Sequence, residues 1–146
     1  MVSHAQNPVK VFVDADAFIA LLKADDQNHS RATAIFQKLA NQDTHFLTSN
    51  YAFAETVTVL SQRVGHRVAV EFIERIKADD SDFQMLWVSE DIEQKALELF
   101  KKQTSKNVSF MDCCHMACIR QYQLDAVFSF DHGYAQNQVP LAANLK

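Results

Sequence analysis

The chain has 146 residues, 48% of them apolar and 22% charged, with a formal net charge of −4. That length and balance describe one domain with a sizeable core and exclude a disordered chain, while the negative charge argues against a general nucleic-acid coat. Two glycines and two prolines exclude collagen-like and low-complexity sequence and leave no glycine-rich loop to cradle a phosphate, so the Rossmann and P-loop fingerprints are absent.

The opening residues MVSHAQNPVK hold no apolar core of signal-peptide length, and the longest apolar run, Ala17 to Leu22, is far too short to cross a membrane. A short β-rich run, Lys10 to Val13, ends at Asp14, and a helical pattern follows at once from Ala15 to Leu22. The turn Asp25-Asp26-Gln27-Asn28 leads to a second helix with Ala32, Ile35, Phe36 and Leu39 at helical spacing. His45 to Thr48 reads as a strand, and a helix from about Asn50 stops at Gly65. Val68 to Lys77 is amphipathic, with Phe72, Ile73 and Ile76 inward; Gln84 to Val88 is a third strand and Asp91 to Lys102 a charged helix. Ser109 to Tyr122 is a helix and Ala126 to Phe130 a fourth strand. Strand and helix alternate throughout, which predicts an α/β fold with a parallel sheet covered by helices on both faces. In such sheets ligands bind at the carboxyl ends of the strands, and Asp14 and Asp131 lie just past two of those ends.

The acids fall into two populations. Those in Glu71-Glu74-Arg75-Lys77 and Glu93-Lys95-Glu98-Lys101 alternate with cations, as on a solvated helix face. Four others stand in apolar sequence: Glu55 is the only Asp, Glu, Lys or Arg between Asp43 and Arg63, Asp112 between Lys106 and Arg120, and Asp131 between Asp125 and Lys146, while Asp14 shares its stretch only with Asp16. A carboxylate among core-forming residues costs several kcal/mol to desolvate unless something pairs with it, and gathering four of them adds repulsion. A hard divalent cation, Mg²⁺ or Mn²⁺, resolves both costs and activates water for phosphodiester hydrolysis. Singly, each acid also has a structural reading. Ser109 and Asp112 form the S-x-x-D of a capping box, Asp14 sits near a helix start, and Asp131 can open a turn; Glu55 stands in mid-helix with no cap to serve.

The segment SFMDCCHMAC concentrates Cys113, Cys114 and Cys118 beside Asp112. Three thiols on one segment make a disulfide framework improbable and indicate a reducing, cytoplasmic setting. No second Cys/His pair at zinc spacing exists, so the thiols read as core filler, with His115 and His132 as candidate rim residues for phosphate.

The blocks VFVDADAFIALL, NHSRA, TSNYAFAETVTVL, SFMDCCHMACI and AVFSFDHGY, spread from about Val9 to Tyr134, resemble the PIN domain, specifically the VapC-type toxins. The resemblance implies a single domain over 1–146 (core about 9–134) with a three-layer α/β/α sandwich and a mainly parallel central sheet. It implies a Mg²⁺- or Mn²⁺-dependent endoribonuclease whose metal-binding acids align with Asp14, Glu55, Asp112 and Asp131, with Ser129 in a supporting position. It further implies an RNA substrate, a small antitoxin partner and a homodimer. Asp16 departs from the Ser, Thr or Asn common at its position and reads as a fifth ligand or a helix N-terminal acid. The tail after Tyr134 lacks a glycine often found there, and His29 matches a frequent family histidine read here as packing or turn-holding.

Arg63 and Arg67, with His66 between them, and Lys101, Lys102 and Lys106 are candidate RNA-phosphate contacts, or simply solvated helix ends. Two rival readings stand beside the nuclease. One is a non-catalytic PIN-like module that binds RNA or protein. The other is a haloacid-dehalogenase-like phosphatase suggested by the D-x-D of VDADAF, for which the downstream lysine and paired aspartates are missing.

Overall fold

The computed structural model describes residues 7–146, so the part of the N-terminal reading that falls on residues 1–6 lies outside the described residues. Four strands, β1 (Val9–Val13), β2 (Thr44–Ser49), β3 (Phe83–Leu86) and β4 (Ala126–Phe128), form one sheet in the order β3-β2-β1-β4. Every pairing is parallel, with Val11 opposite both Phe46 and Ala126, and Phe46 opposite Phe83.

Helices α1 (Ala15–Leu22) and α2 (His29–Ala40) connect β1 to β2, and α3 (Asn50–Arg63) and α4 (His66–Lys77) connect β2 to β3. Helices α5 (Glu90–Lys101) and α6 (Phe110–Gln121) carry the chain from the β3 edge back past β1 to β4. Right-handed crossovers place connections that run in opposite directions along a sheet on opposite faces. The core follows suit. Val11, Val13, Phe46, Ala126 and Phe128 pack with α1, α2 and α4, whereas the alternate residues Phe12, Leu47 and Val127 pack with α5 and α6. The three-layer α/β/α expectation from sequence is met.

Element limits differ from the sequence expectation by a residue or two, and two differences have physical reasons. β4 stops at Phe128 because the Ser129 and Phe130 region is drawn into hydrogen bonds with Asp16. The tail does not end loosely: a short helix α7 (Gly133–Gln136) follows Asp131, and Leu141 bridges Val127 in parallel, with Val139 and Ala142 buried. His29 donates from Nδ1 to the Ala20 carbonyl at 2.7 Å, tying α2 to α1. No helix among the described residues is long and apolar enough to cross a membrane.

Candidate active site

The strand order reverses at β1, because β2 and β3 lie on one side of it and β4 on the other. The crevice between the carboxyl ends of β1 and β4 is therefore the topological switch point. Asp14 is the residue after β1; it caps α1, accepting the Ala15 amide on Oδ1 at 2.7 Å. Asp131 lies three residues past β4, where its own amide donates to Ser129 Oγ (3.1 Å) and its Oδ1 accepts from Gly133 N (2.8 Å). Gly133 packs closely in that turn: a Cβ there would sit 3.2 Å from both Asp131 Oδ1 and Val108 Cγ2, so either side chain would have to shift by a few tenths of an ångström.

Asp16, one helical step inside α1, closes the crevice. Its Oδ2 accepts from Ser129 Oγ (3.1 Å) and from Phe130 N (2.8 Å), across 113 and 114 residues of sequence. Its Oδ1 is buried without a hydrogen-bond partner. Burial, then the Asp14 charge, pushes the Asp16 carboxyl up to about 7. Asp16 is thus more than a helix N-terminal acid: it holds the β4 turn and leaves one oxygen free.

Asp112 enters from the N-terminus of α6. The capping box is real: Ser109 Oγ accepts from Asp112 N at 3.0 Å while Asp112 Oδ2 accepts from Ser109 N at 3.0 Å. Asp112 is only 7% exposed, and burial, with the Asp131 and Asp14 charges against the Ser109 hydrogen bonds, brings its carboxyl to about 6. The cap and the acid site use the same side chain. Glu55 differs from the expectation of a desolvated acid, because it is exposed on α3. It lines a shallow groove with Tyr51, Ala54, Thr58, Val59 and Met111, and partial desolvation together with the Asp14 charge raises its pKa.

His115 is not a rim residue. α6 is buried from Asp112 to Ile119, and His115 is fully enclosed beneath the acids. Its Nε2 meets Ser49 Oγ at 2.9 Å, and its Nδ1 lies 3.2 Å from Tyr134 Oη and 3.4 Å from Asp14 Oδ1. Tyr134 Oη donates to Asp14 Oδ2 at 2.7 Å. Burial works to raise the Asp14 pKa, but His115, Tyr134 and the Ala15 amide together hold it below the usual carboxylate value. Burial and the Asp14 and Asp112 charges push the Tyr134 phenol well up, so it stays a donor. Sequence reasoning missed Tyr134; the available signal was an aromatic hydroxyl three residues past Asp131. His132, by contrast, is exposed.

The structure therefore gathers Asp14, Asp16, Asp112 and Asp131 at one crevice, with Glu55 at its edge. Among the described residues their only basic neighbour within ion-pair distance is His115. Among those residues, too, no three His, Cys, Asp or Glu side chains converge into a finished metal cage. The candidate phosphate-binding cations lie further out. Arg63 ends α3, Arg67 pairs with Glu71 at 3.1 Å, Lys101 stands 3.5 Å from Glu98, and Lys102 and Lys106 are exposed between α5 and α6.

Cys113, Cys114 and Cys118 are free and fully buried, and burial pushes Cys114 and Cys118 up to about 12 and 11. They are packing thiols, unsuited to binding metal or attacking a substrate. Cys113→Ser and Cys114→Ala are expected to cost on the order of 1–2 kcal/mol in stability through a buried hydroxyl or a small cavity. Both should leave zinc content at zero and any RNA cleavage within a few-fold. Metal analysis finding stoichiometric zinc lost on either change would contradict this.

The PIN-domain family model matches residues 11–139, and the chain belongs to the PIN-domain family. It is 29% identical over 125 residues to the 23S rRNA-specific endonuclease VapC20 of Mycobacterium tuberculosis, covering 86% of this chain and 92% of that protein. The crystal structure of Mycobacterium tuberculosis VapC20, described as a sarcin–ricin loop cleaving toxin, matches with a TM-score of 0.79 at 27% identity, over 88% of this chain and 95% of that one. FitAcB from Neisseria gonorrhoeae shares the fold, with a TM-score of 0.68 at 17% identity over 92% of this chain and 99% of that one. Family membership sets aside the dehalogenase-like phosphatase.

Proposed function

We propose that this chain is a divalent-metal-dependent endoribonuclease, acting on single-stranded or looped RNA as the toxin of a toxin–antitoxin pair in the cytoplasm. The observation that carries the reading is the gathering of Asp14, Asp16, Asp112 and Asp131 at the β1/β4 switch point, with no Lys or Arg among the described residues in ion-pair contact with them, in a PIN-family chain. Similarity to VapC20, named as an RNA endonuclease, supports the reaction class.

The residues present suit Mg²⁺ or Mn²⁺. The donors are all hard oxygens, Asp16 keeps an unpartnered buried Oδ1, and Asp16, Asp112 and Glu55 all have raised pKa values. That pattern marks a site short of positive charge. The absence of a finished cage is compatible with it, because Mg²⁺ keeps several waters and takes one or two carboxylates plus substrate phosphate. In this reading Asp14 would hold the ion with Asp112 and Asp131, directly or through its waters, Glu55 would reach it through water from α3, and Asp16 with Ser129 holds the β4 turn beside it. The bound ion supplies Lewis-acid activation of water and neutralises charge on the phosphodiester. Arg63, Arg67, Lys101, Lys102 and Lys106 contact RNA phosphates outside the crevice.

An antitoxin partner is carried over from the family resemblance, and an apolar cleft of about 420 Å³ between α1, α2 and α4, lined by Phe18, Leu21, Leu22, Phe36, Val68 and Phe72 among others, is where we place its docking. Self-association as a homodimer is carried over from the family resemblance and is read by analytical ultracentrifugation. The reaction is tested by incubating the full chain with looped RNA, the 23S rRNA sarcin–ricin loop first, and sequencing the ends. Cleavage is expected only with Mg²⁺ or Mn²⁺ and should stop with EDTA. Cleavage that survives thorough chelation contradicts the metal role, and a protein that binds RNA without cutting under any divalent ion is the non-catalytic module instead.

A further inference from the structure

We propose that Tyr134 is a positioning residue for this reaction: its hydroxyl, oriented in turn by His115 and Ser49, fixes the Asp14 carboxylate for the divalent ion. The proposal rests on the endoribonuclease reading above.

Tyr134 Oη gives its one proton to Asp14 Oδ2 at 2.7 Å, so its oxygen is left to accept. The group that faces it is His115 Nδ1 at 3.2 Å, which must then carry a proton, and that proton also faces Asp14 Oδ1 at 3.4 Å. With Nδ1 protonated, a neutral imidazole has a lone pair on Nε2, and Ser49 Oγ lies 2.9 Å away to donate into it. Ser49 Oγ in turn accepts from Ala52 N at 2.9 Å, as the cap of α3. With the imidazole neutral, one proton order satisfies every member: α3 amide to Ser49, Ser49 to His115, His115 to Tyr134, Tyr134 to Asp14. With it cationic only the Ser49 link reverses, and the part from His115 to Asp14 is the same. It runs in one direction and ends on an ionised carboxylate, the acceptor that makes the strongest such bond.

The chain is also rigid. Ser49, His115 and Tyr134 are fully buried, and Phe12 packs against the His115 ring at 4.7 Å between centroids. Tyr134 is held by its backbone carbonyl, which accepts from Asn137 N and Val139 N at 3.0 Å each. Four segments of the fold (the β1 end, the β2–α3 junction, α6 and α7) therefore meet on one carboxylate. Packing alone does not call for this arrangement, because phenylalanine would fill the same space in the core. The Tyr134 hydroxyl bonds to the acid that follows β1, not to a backbone carbonyl. Partners of this kind orient a metal-binding carboxylate, and their loss commonly costs about 10–100-fold in metal affinity or activity.

The test uses the full chain, with Mn²⁺ itself as the probe. Tyr134→Phe, His115→Gln, both together, and wild type are compared by calorimetric Mn²⁺ titration, melting and RNA cleavage kinetics. Tyr134→Phe should weaken Mn²⁺ binding about 10–100-fold and lower kcat, with the RNA KM at saturating Mn²⁺ unchanged. His115→Gln should weaken Mn²⁺ binding alone yet add little in the Tyr134→Phe background, because both act through the same bond. Asp14→Asn serves as the control for the site itself. If wild type binds Mn²⁺ and cleaves RNA while Tyr134→Phe matches it in both, the positioning role is overturned and the endoribonuclease reading stands. Fully additive effects of the two substitutions also overturn it. Wild type that neither binds Mn²⁺ nor cleaves overturns the endoribonuclease reading, and the proposal with it.

Discussion

Asp14→Asn is expected to reduce RNA cleavage on the order of a thousandfold, the scale of several kcal/mol that a positioned ion supplies to a transition state. The substitution keeps the helix start but changes one buried contact, because its amide nitrogen meets the Tyr134 hydroxyl, which has to turn and accept from it. Asparagine keeps an oxygen for the Ala15 amide that starts α1 and the same volume beneath the acids. What it removes is the charge closest to the switch point, the one with Coulomb reach to Asp16, Asp112 and Glu55. Single-turnover cleavage rates and a melting curve measured together check this. A loss smaller than about tenfold with the fold intact, equivalent to only ~1.4 kcal/mol, would remove Asp14 from the reaction.

Asp112→Asn should separate cap from charge through the pH dependence of stability. In metal-free protein the Asp112 carboxyl sits at about 6, against 3.8 as the ordinary value, chiefly through burial and then through the Asp131 and Asp14 charges. A carboxyl raised in the folded state binds its proton more tightly there than in the unfolded chain. The penalty of ionising it is absent below the unfolded value, grows as pH rises from about 4 to about 6, and is complete above. Asparagine retains an acceptor for Ser109 N, so the capping box survives while the penalty disappears. The variant should therefore be more stable than metal-free wild type at pH 8 by about 1–2 kcal/mol, and the two should converge near pH 4. Mn²⁺ at a hundredfold excess over its dissociation constant should stabilise wild type by about 2.7 kcal/mol and reverse the order, with cleavage lost in the variant. If the variant melts lower at pH 8 without metal, and Mn²⁺ raises both proteins equally, Asp112 serves only as a cap.

What was legible in the sequence is what local chemistry determines. Asp14 could be placed because a β-rich run stops directly before it and a helical pattern starts directly after, and Asp131 because it trails the last strand. The capping box was legible as S-x-x-D, and the same Asp112 also stands within reach of the Asp131 and Asp14 charges. Contacts across the chain were not legible. The tie from Asp16 to Phe130 spans 114 residues, and no spacing rule announces it. His115 looked like a rim residue because it follows Asp112 by three on a short helix. α6 is buried on all sides, though, so helical spacing carries no information on which of its residues face water. Glu55 erred in the opposite direction: its apolar neighbours pack on α1, α4 and the sheet, while the carboxylate itself points outward at the edge of the crevice.

The position of a bound divalent ion distinguishes a metal-dependent nuclease from every other reading of these acids. A crystal of the full chain soaked with Mn²⁺ and measured at the manganese absorption edge should show an anomalous peak at the β1/β4 switch point. The peak should lie at about 2.0–2.2 Å from a carboxylate oxygen of Asp14, with Asp112 or Asp131 bound directly or through water. A peak only on the Glu71 or Glu98 surfaces, or none at the switch point at saturating Mn²⁺, would contradict the central claim.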